Sequence, residues 1–222
     1  LTESGFTHTA TMDGTGQTLV IIRSNDDTPP QSYIADQEGQ RLAWIEENAL
    51  DADHPYAPYL ASHRPTQYGT IPAEDGTPLH WEMITPEIEP GKRYPVYYYH
   101  YSGPGPQIVN RGWNGALPQA IVDRGYIWFA LDNRGSNYRG VAFEQPTLKQ
   151  LQADPGLYAA GISGAPVTRW ELYDTHYTER YMGTPQDDGA AYDAASAIPD
   201  ATKIADPLLI IHGMADDNVV FE

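Results

Sequence analysis

The residues best suited to chemistry sit at the end of the chain. The apolar run Leu208-Leu209-Ile210-Ile211 enters His212-Gly213-Met214-Ala215, and the turn then presents two adjacent carboxylates, Asp216 and Asp217, followed by Asn218 and Val219. A strand that runs into a glycine turn and delivers an acid at its C-terminal end matches the edge of an α/β sheet where sites are built. An acid placed there orients an imidazole in a triad, lying between nucleophile and base in chain order. Neither partner is found in the sequence. No G-x-S-x-G pentapeptide occurs, and the nearest string, Gly161-Ile162-Ser163-Gly164-Ala165, has its second glycine one place early, so Ser163 reads as the end of a strand. None of the seven histidines follows Asp216. As a continuous polypeptide these residues could not perform triad chemistry.

Other chemistries are disfavoured by composition. The sequence has no cysteine, which excludes thiolate metal sites, cysteine nucleophiles and disulfide frameworks together. His80, His100 and His176 are dispersed without ligand spacing, so no metal is expected. Gly103-Pro104-Gly105-Pro106 puts prolines where a phosphate cradle needs N–H donors. With 13 Lys and Arg against 30 Asp and Glu, the formal charge of −17 repels phosphate backbones and anionic membranes, so nucleic acid is an unfavourable partner. The same field favours a substrate with a free amino group. The longest apolar runs fall well short of the ~20 residues that a membrane span needs. The opening Leu1-Thr2-Glu3-Ser4 is neither an initiator nor a signal pattern, which predicts a segment internal to a longer precursor.

Two textures of sequence must position these residues. Over residues 1–50, short extended runs, the strongest being Thr18-Leu19-Val20-Ile21-Ile22, are broken by Gly, Asp and Pro turns. That pattern predicts one blade or half-blade of a β-propeller, because so few strands cannot bury their faces alone. Residues 51–66 read as a linker. From 67 to 222, apolar runs at 80–84, 95–101, 126–132, 157–163 and 207–212 predict strands buried on both faces, hence a mainly parallel sheet with flanking helices, an α/β domain. Parallel neighbours need a crossover of about a dozen residues or more, yet 133–156 offers only Thr147 to Ala153 as helix. A strand and its helices are therefore expected to be missing near Leu151 and Gln152.

Three separated stretches resemble the dipeptidyl peptidase IV family of the prolyl oligopeptidase superfamily. The first runs from Tyr94-Pro95-Val96 through Tyr101-Ser102-Gly103-Pro104-Gly105 and Trp113 to Asp132-Asn133-Arg134-Gly135-Ser136. The second is Ala165-Pro166-Val167-Thr168-Arg169-Trp170-Glu171-Leu172-Tyr173-Asp174 with Tyr177-Thr178-Glu179-Arg180-Tyr181-Met182-Gly183, and the third is His212 to Val219. The resemblance implies an incomplete α/β-hydrolase catalytic domain preceded by the last propeller strands. It further implies a serine exopeptidase that releases N-terminal dipeptides after a penultimate Pro or Ala, with no cofactor.

By the same resemblance Asp216 is the triad acid with Asp217 its neighbour, and Tyr101 donates its hydroxyl to the oxyanion. Val167, Trp170, Tyr173 and Tyr177 line the apolar pocket for the residue before the cleaved bond, the two tyrosines sharing one face if the stretch is helical. Asn218 and Val219 contact substrate, and Arg134 braces the fold. The glutamates with which the family clamps the substrate amino terminus have no counterpart here, and Glu46-Glu47 reads as an exposed acidic pair. A homodimer and a periplasmic or secreted location are what the family implies. The rivals are an acyl-peptide or carboxylic ester hydrolase of the same fold and a non-catalytic binding homologue.

Overall fold

The computed structural model describes residues 2–101, 105–134, 136 and 158–221. They fall into two compact units, Leu1–Glu144 and Gln145–Glu222. The helical stretch from Thr147 and the break expected near Leu151 and Gln152 lie outside the described residues.

Turn chemistry sets the first sheet of the first unit. Strands β1 (Thr7–Met12), β2 (Thr18–Asn25), β3 (Thr28–Asp36) and β4 (Arg41–Glu46) pair in sequence order, all antiparallel. The β1–β2 turn is closed by Asp13, whose carboxylate accepts the Gln17 and Thr18 N–H groups and the Thr15 hydroxyl, and Gly16 supplies a φ of +75°. Side chains alternate. Leu19, Ile21, Tyr33 and Ala35 form a buried cluster against Trp44, while Val20 and Ile22 point to the exposed face. Such a four-stranded antiparallel meander has the make-up of a propeller blade. Glu46 and Glu47 are exposed, as the sequence predicts.

The stretch read as a linker is ordered. It holds a 3-10 helix, Ala57–Ser62, and its next turn is clamped by Gln119, whose side-chain amide accepts from the Arg64 N–H and donates to the Arg64 carbonyl, both at 2.9 Å. His63 stacks on Trp113 and shares a hydrogen bond with the Tyr56 hydroxyl.

The second sheet contains β5 (Gln67–Pro72), β6 (Pro78–Ile84), β7 (Val96–Tyr99) and β8 (Ile127–Leu131) in the order β5-β6-β8-β7. β7 and β8 are parallel, and helix α1 (Ala116–Val122) lies in their crossover. β5–β6 and β6–β8 are antiparallel, so this sheet is mixed, where a mainly parallel one was expected. For β5–β6 the reason is the turn Ala73–Thr77, closed by the Ala73 N–H to Thr77 carbonyl bond with Gly76 at φ +81°: a hairpin this tight can only reverse the chain. Strand β5 went unread in the sequence. The core on one face joins Ile84, Val122, Trp128 and Ala130 with Tyr97, Ile108 and Ile121, and a smaller cluster joins Leu79 and Leu131 with Trp81, Tyr98 and Phe129. Each fully buried side chain of this size stabilises the fold by about 1.5–3 kcal/mol relative to exposure.

In the second unit β9 (Gly161–Gly164) and β10 (Leu208–Ile211) are parallel, in register from Leu208 with Gly161 to Ile211 with Gly164. Between them come a 3-10 helix (Trp170–Leu172), helix α2 (Thr175–Met182), helix α3 (Gly189–Ala195) and a 3-10 turn (Ala201–Lys203). Asp174 caps α2 by accepting the His176 N–H and Asp188 caps α3 by accepting the Ala191 N–H, while Gly183 at φ +71° ends α2. Buried Tyr192 donates its hydroxyl to the Gly183 carbonyl at 2.8 Å, tying α3 to the end of α2. Ser163 lies in β9, as its sequence context predicts. Ile162, Leu209, Ile210 and Ile211 are more than half exposed, against the two-sided burial that their composition predicts. A two-stranded sheet cannot cover both of its faces.

Candidate active site

Asp216 stands in the turn directly after β10. Its Oδ1 accepts the N–H groups of Asn218 and Val219, both at 3.0 Å, and its own N–H donates to the Gly213 carbonyl. Those two amide donors, with His212 adding positive charge, hold its carboxyl below the usual aspartate range. The consequence is a carboxylate that is ionised and fixed in orientation by its own turn, with Oδ2 making no hydrogen bond among the described residues. That is the state in which an acid can orient an imidazole. Asp217 beside it is exposed.

The acid turn is tied to the aromatic cluster read as a pocket. Asn218 Nδ2 donates to the Tyr173 hydroxyl at 3.4 Å, a long contact. Tyr173 meets Trp170 and Tyr177 edge-on, with ring centroids at 5.7 and 5.6 Å, and Trp170 is buried beneath them. Tyr177 in turn meets Tyr181, one helical turn on, at 5.1 Å. Val167 is half-buried in the segment between β9 and Trp170. The structure thus brings Asn218, Tyr173, Trp170 and Tyr177 into one connected group beside Asp216 and Val219.

One detail of the sequence reading is corrected. Tyr173 and Tyr177 do not share a helical face, because Tyr173 follows the 3-10 helix and Asp174 is the N-cap of α2. They meet instead because the chain bends at that cap. Tyr181 was passed over as part of the cluster, although its i, i+4 spacing from Tyr177 is visible in the sequence.

Tyr101 belongs to the first unit, two residues past the end of β7, and is about half exposed. Residues 105–109 are anchored. Gly105 forms a parallel bridge with Ser136, and the Ile108 and Val109 N–H groups donate to Asp132 Oδ1 at 2.7 and 3.2 Å. Arg134 pairs with Asp75 in the β5–β6 turn. A carboxyl that the sequence did not single out is Glu82 of β6: it is fully buried, its Oε1 accepts from Asn114 Nδ2 at 3.2 Å and Trp128 Nε1 at 3.4 Å, and its Oε2 has no hydrogen-bond partner among the described residues. Burial pushes it up to about 7 in spite of these donors. The expected absence of metal was argued from spacing, and among the described residues no cluster of three or more His, Asp or Glu is arranged to hold an ion.

Comparison with known proteins places these features. The model of the prolyl oligopeptidase family matches residues 146–222. The "Probable dipeptidyl-aminopeptidase B" of Metarhizium robertsii is 32% identical over 203 residues, covering 70% of this chain and 22% of its own length. Dipeptidyl peptidase 8 of Mus musculus is 26% identical over 277 residues, covering all of this chain and 31% of its own length. That alignment is longer than the 222 residues available, so the mouse protein has residues inside the matched stretch that find no counterpart here. The crystal structure of Porphyromonas gingivalis dipeptidyl peptidase 4 superposes with a TM-score of 0.83 at 25% identity, over 96% of this chain and 36% of that one. The chain therefore spans between about a fifth and a third of the length of the curated relatives it matches. No helix among the described residues is long and apolar enough to cross a membrane.

Proposed function

The chain belongs to the dipeptidyl peptidase IV family, in the prolyl oligopeptidase superfamily of serine peptidases, and from that premise we propose that the complete protein is a serine exopeptidase releasing N-terminal Xaa-Pro or Xaa-Ala dipeptides through an acyl-enzyme. Residues 1–50 are then the end of a propeller, 51–66 its connection, and 67–222 part of an α/β-hydrolase domain. The nucleophilic serine and the base histidine come from residues outside this sequence. The serine oxygen attacks the carbonyl carbon of the penultimate residue while the imidazole takes the hydroxyl proton; the imidazolium then protonates the leaving amine as the C–N bond breaks, and water hydrolyses the acyl-enzyme to free the dipeptide and the serine. Asp216 holds the imidazole in the productive tautomer and stabilises its cation. Tyr101 Oη donates a hydrogen bond to the oxyanion, a contact that adds no net charge and whose loss costs on the order of 10²–10³ in turnover.

The single observation that carries this reading is the join between acid and pocket. The turn that fixes the Asp216 carboxylate also places Asn218 against Tyr173. A rigid apolar ring such as proline suits the faces of Val167, Trp170, Tyr173 and Tyr177, since aromatic walls bury it at little entropic cost. Asn218 and Val219, at the mouth of that group, contact the substrate. A homodimer and a periplasmic or secreted location, implied by the sequence resemblance, are part of the same proposal.

The test is Asp216→Asn in the complete protein, assayed on Gly-Pro-p-nitroanilide. Turnover should fall by about 10⁴, the loss seen when a triad acid can no longer hold the right tautomer, with the fold retained. Near-normal hydrolysis would remove Asp216 from the triad. Wild-type activity on simple esters exceeding that on the Gly-Pro amide would assign an ester or acyl-peptide hydrolase instead. No labelling by a fluorophosphonate would point to a non-catalytic homologue.

A further inference from the structure

From Pro106 to helix α1 the described backbone belongs to no strand, so something else must hold it. A buried carboxylate does so. Asp132 stands at the C-terminal end of β8, 2% exposed, and its own N–H donates to the His80 carbonyl of β6 at 2.9 Å, which fixes its backbone in the sheet. From that position its Oδ1 takes the successive N–H groups of Ile108 and Val109. Charge-assisted bonds of this kind are roughly twice as strong as neutral ones. The Gly105–Ser136 bridge holds the same segment nearer to Tyr101. On its other side Tyr101 follows β7, whose Tyr99 is paired with Ala130 of β8. Strand β7 on one side and residues 105, 108 and 109 on the other are thereby referred to β8, Asp132 and Ser136.

We propose that Asp132 is a positioning residue for catalysis: by binding the Ile108 and Val109 amides it anchors the chain seven and eight residues beyond Tyr101, and so sets where the tyrosine hydroxyl stands. The proposal rests on the reading of Tyr101 as the oxyanion donor. A donor displaced by about 1 Å loses up to a hundredfold in rate, so a buried side chain such as Asp132 can act on the rate through Tyr101.

A double-mutant cycle in the complete protein tests it, with Asp132→Asn, Tyr101→Phe and the double variant assayed on Gly-Pro-p-nitroanilide. Asp132→Asn keeps the side-chain shape and one acceptor oxygen but removes the charge. It should lower kcat about tenfold while KM moves less than twofold, and in the Tyr101→Phe background it should lower kcat by less than twofold more. A full tenfold loss in that background, or a change in KM alone, would show that Asp132 does not act through Tyr101 and would overturn the proposal while leaving the oxyanion reading in place. An unchanged kcat for Tyr101→Phe alone would overturn both. If Asp132→Asn does not fold, hydrogen exchange of the wild-type protein decides the matter: Ile108 and Val109 amides should be protected, and exchange at the rate of an exposed loop would overturn the proposal.

Discussion

Raising the pH from 5 to 8.5 should loosen the second sheet of the first unit, and Glu82→Gln should abolish that dependence. Glu82 lies opposite Tyr68 on β5, with Trp128 and Asn114 donating to one oxygen and the other without a hydrogen-bond partner among the described residues, the Asn110 backbone N–H adding a weaker pull toward the ionised form. The titratable groups facing it are Tyr68 and Asp26, which are themselves hydrogen-bonded to each other, and the Asp26 charge adds to the effect of burial. The carboxyl is raised from 4.5 to about 7 on folding. For an acid whose folded value is raised, the native state holds more protons than the unfolded state between the two values. Stability is therefore highest below about 4.5, falls as pH rises through that window, and levels off above 7. At 1.36 kcal/mol per unit, the loss is about 3 kcal/mol. Hydrogen exchange of peptides covering β6 and β8 reports the opening of this sheet in the complete protein. Wild type and Glu82→Gln compared at the same pH share their intrinsic exchange rates, so the ratio of their rates isolates the carboxyl. That ratio should climb by about a hundredfold between pH 5 and pH 8.5. A ratio constant within about threefold would mean that Glu82 is ionised throughout and that burial does not govern it.

Two further expectations concern packing in the same unit. A Cβ added at Gly69 would lie 2.3 Å from Trp81 Cζ2 in the facing strand, so Gly69→Ala should destabilise the protein by about 1–3 kcal/mol, read as a lowered Tm; an unchanged Tm would mean that the indole moves freely. Gln119→Ala strips both backbone partners from Arg64, and peptides covering 57–66 should exchange about tenfold faster, corresponding to the ~1–2 kcal/mol cost of losing such bonds. Unaltered exchange there would show that the 3-10 helix holds the turn by itself.

Much of the candidate site is legible in the residues. The acid turn after an apolar strand predicted β10 and the position of Asp216, and the apolar runs located β6, β7, β8 and the end of β9. Other features were legible but unread. Asp174 ahead of Thr175 is an N-cap signal, and applying it would have kept Tyr173 out of the helix. The Asp75-Gly76 turn would have marked β5 and β6 as a hairpin, and the sheet as mixed.

Local chemistry and periodicity are what the sequence determines for this protein, because turn residues, caps and strand alternation depend on neighbours a few positions away. Partnership and burial were decided only by tertiary structure. Glu82 is an ordinary acid in the string Trp81-Glu82-Met83, and its raised pKa arises from burial in the folded sheet, which outweighs the opposing hydrogen bonds from Trp128, 46 positions on, and Asn114, 32 positions on. Asp132 meets amides 23 and 24 residues earlier, and Gln119 meets a backbone 55 residues earlier. Bonds of that reach depend on the order and register in which strands pair, which no short window of residues contains.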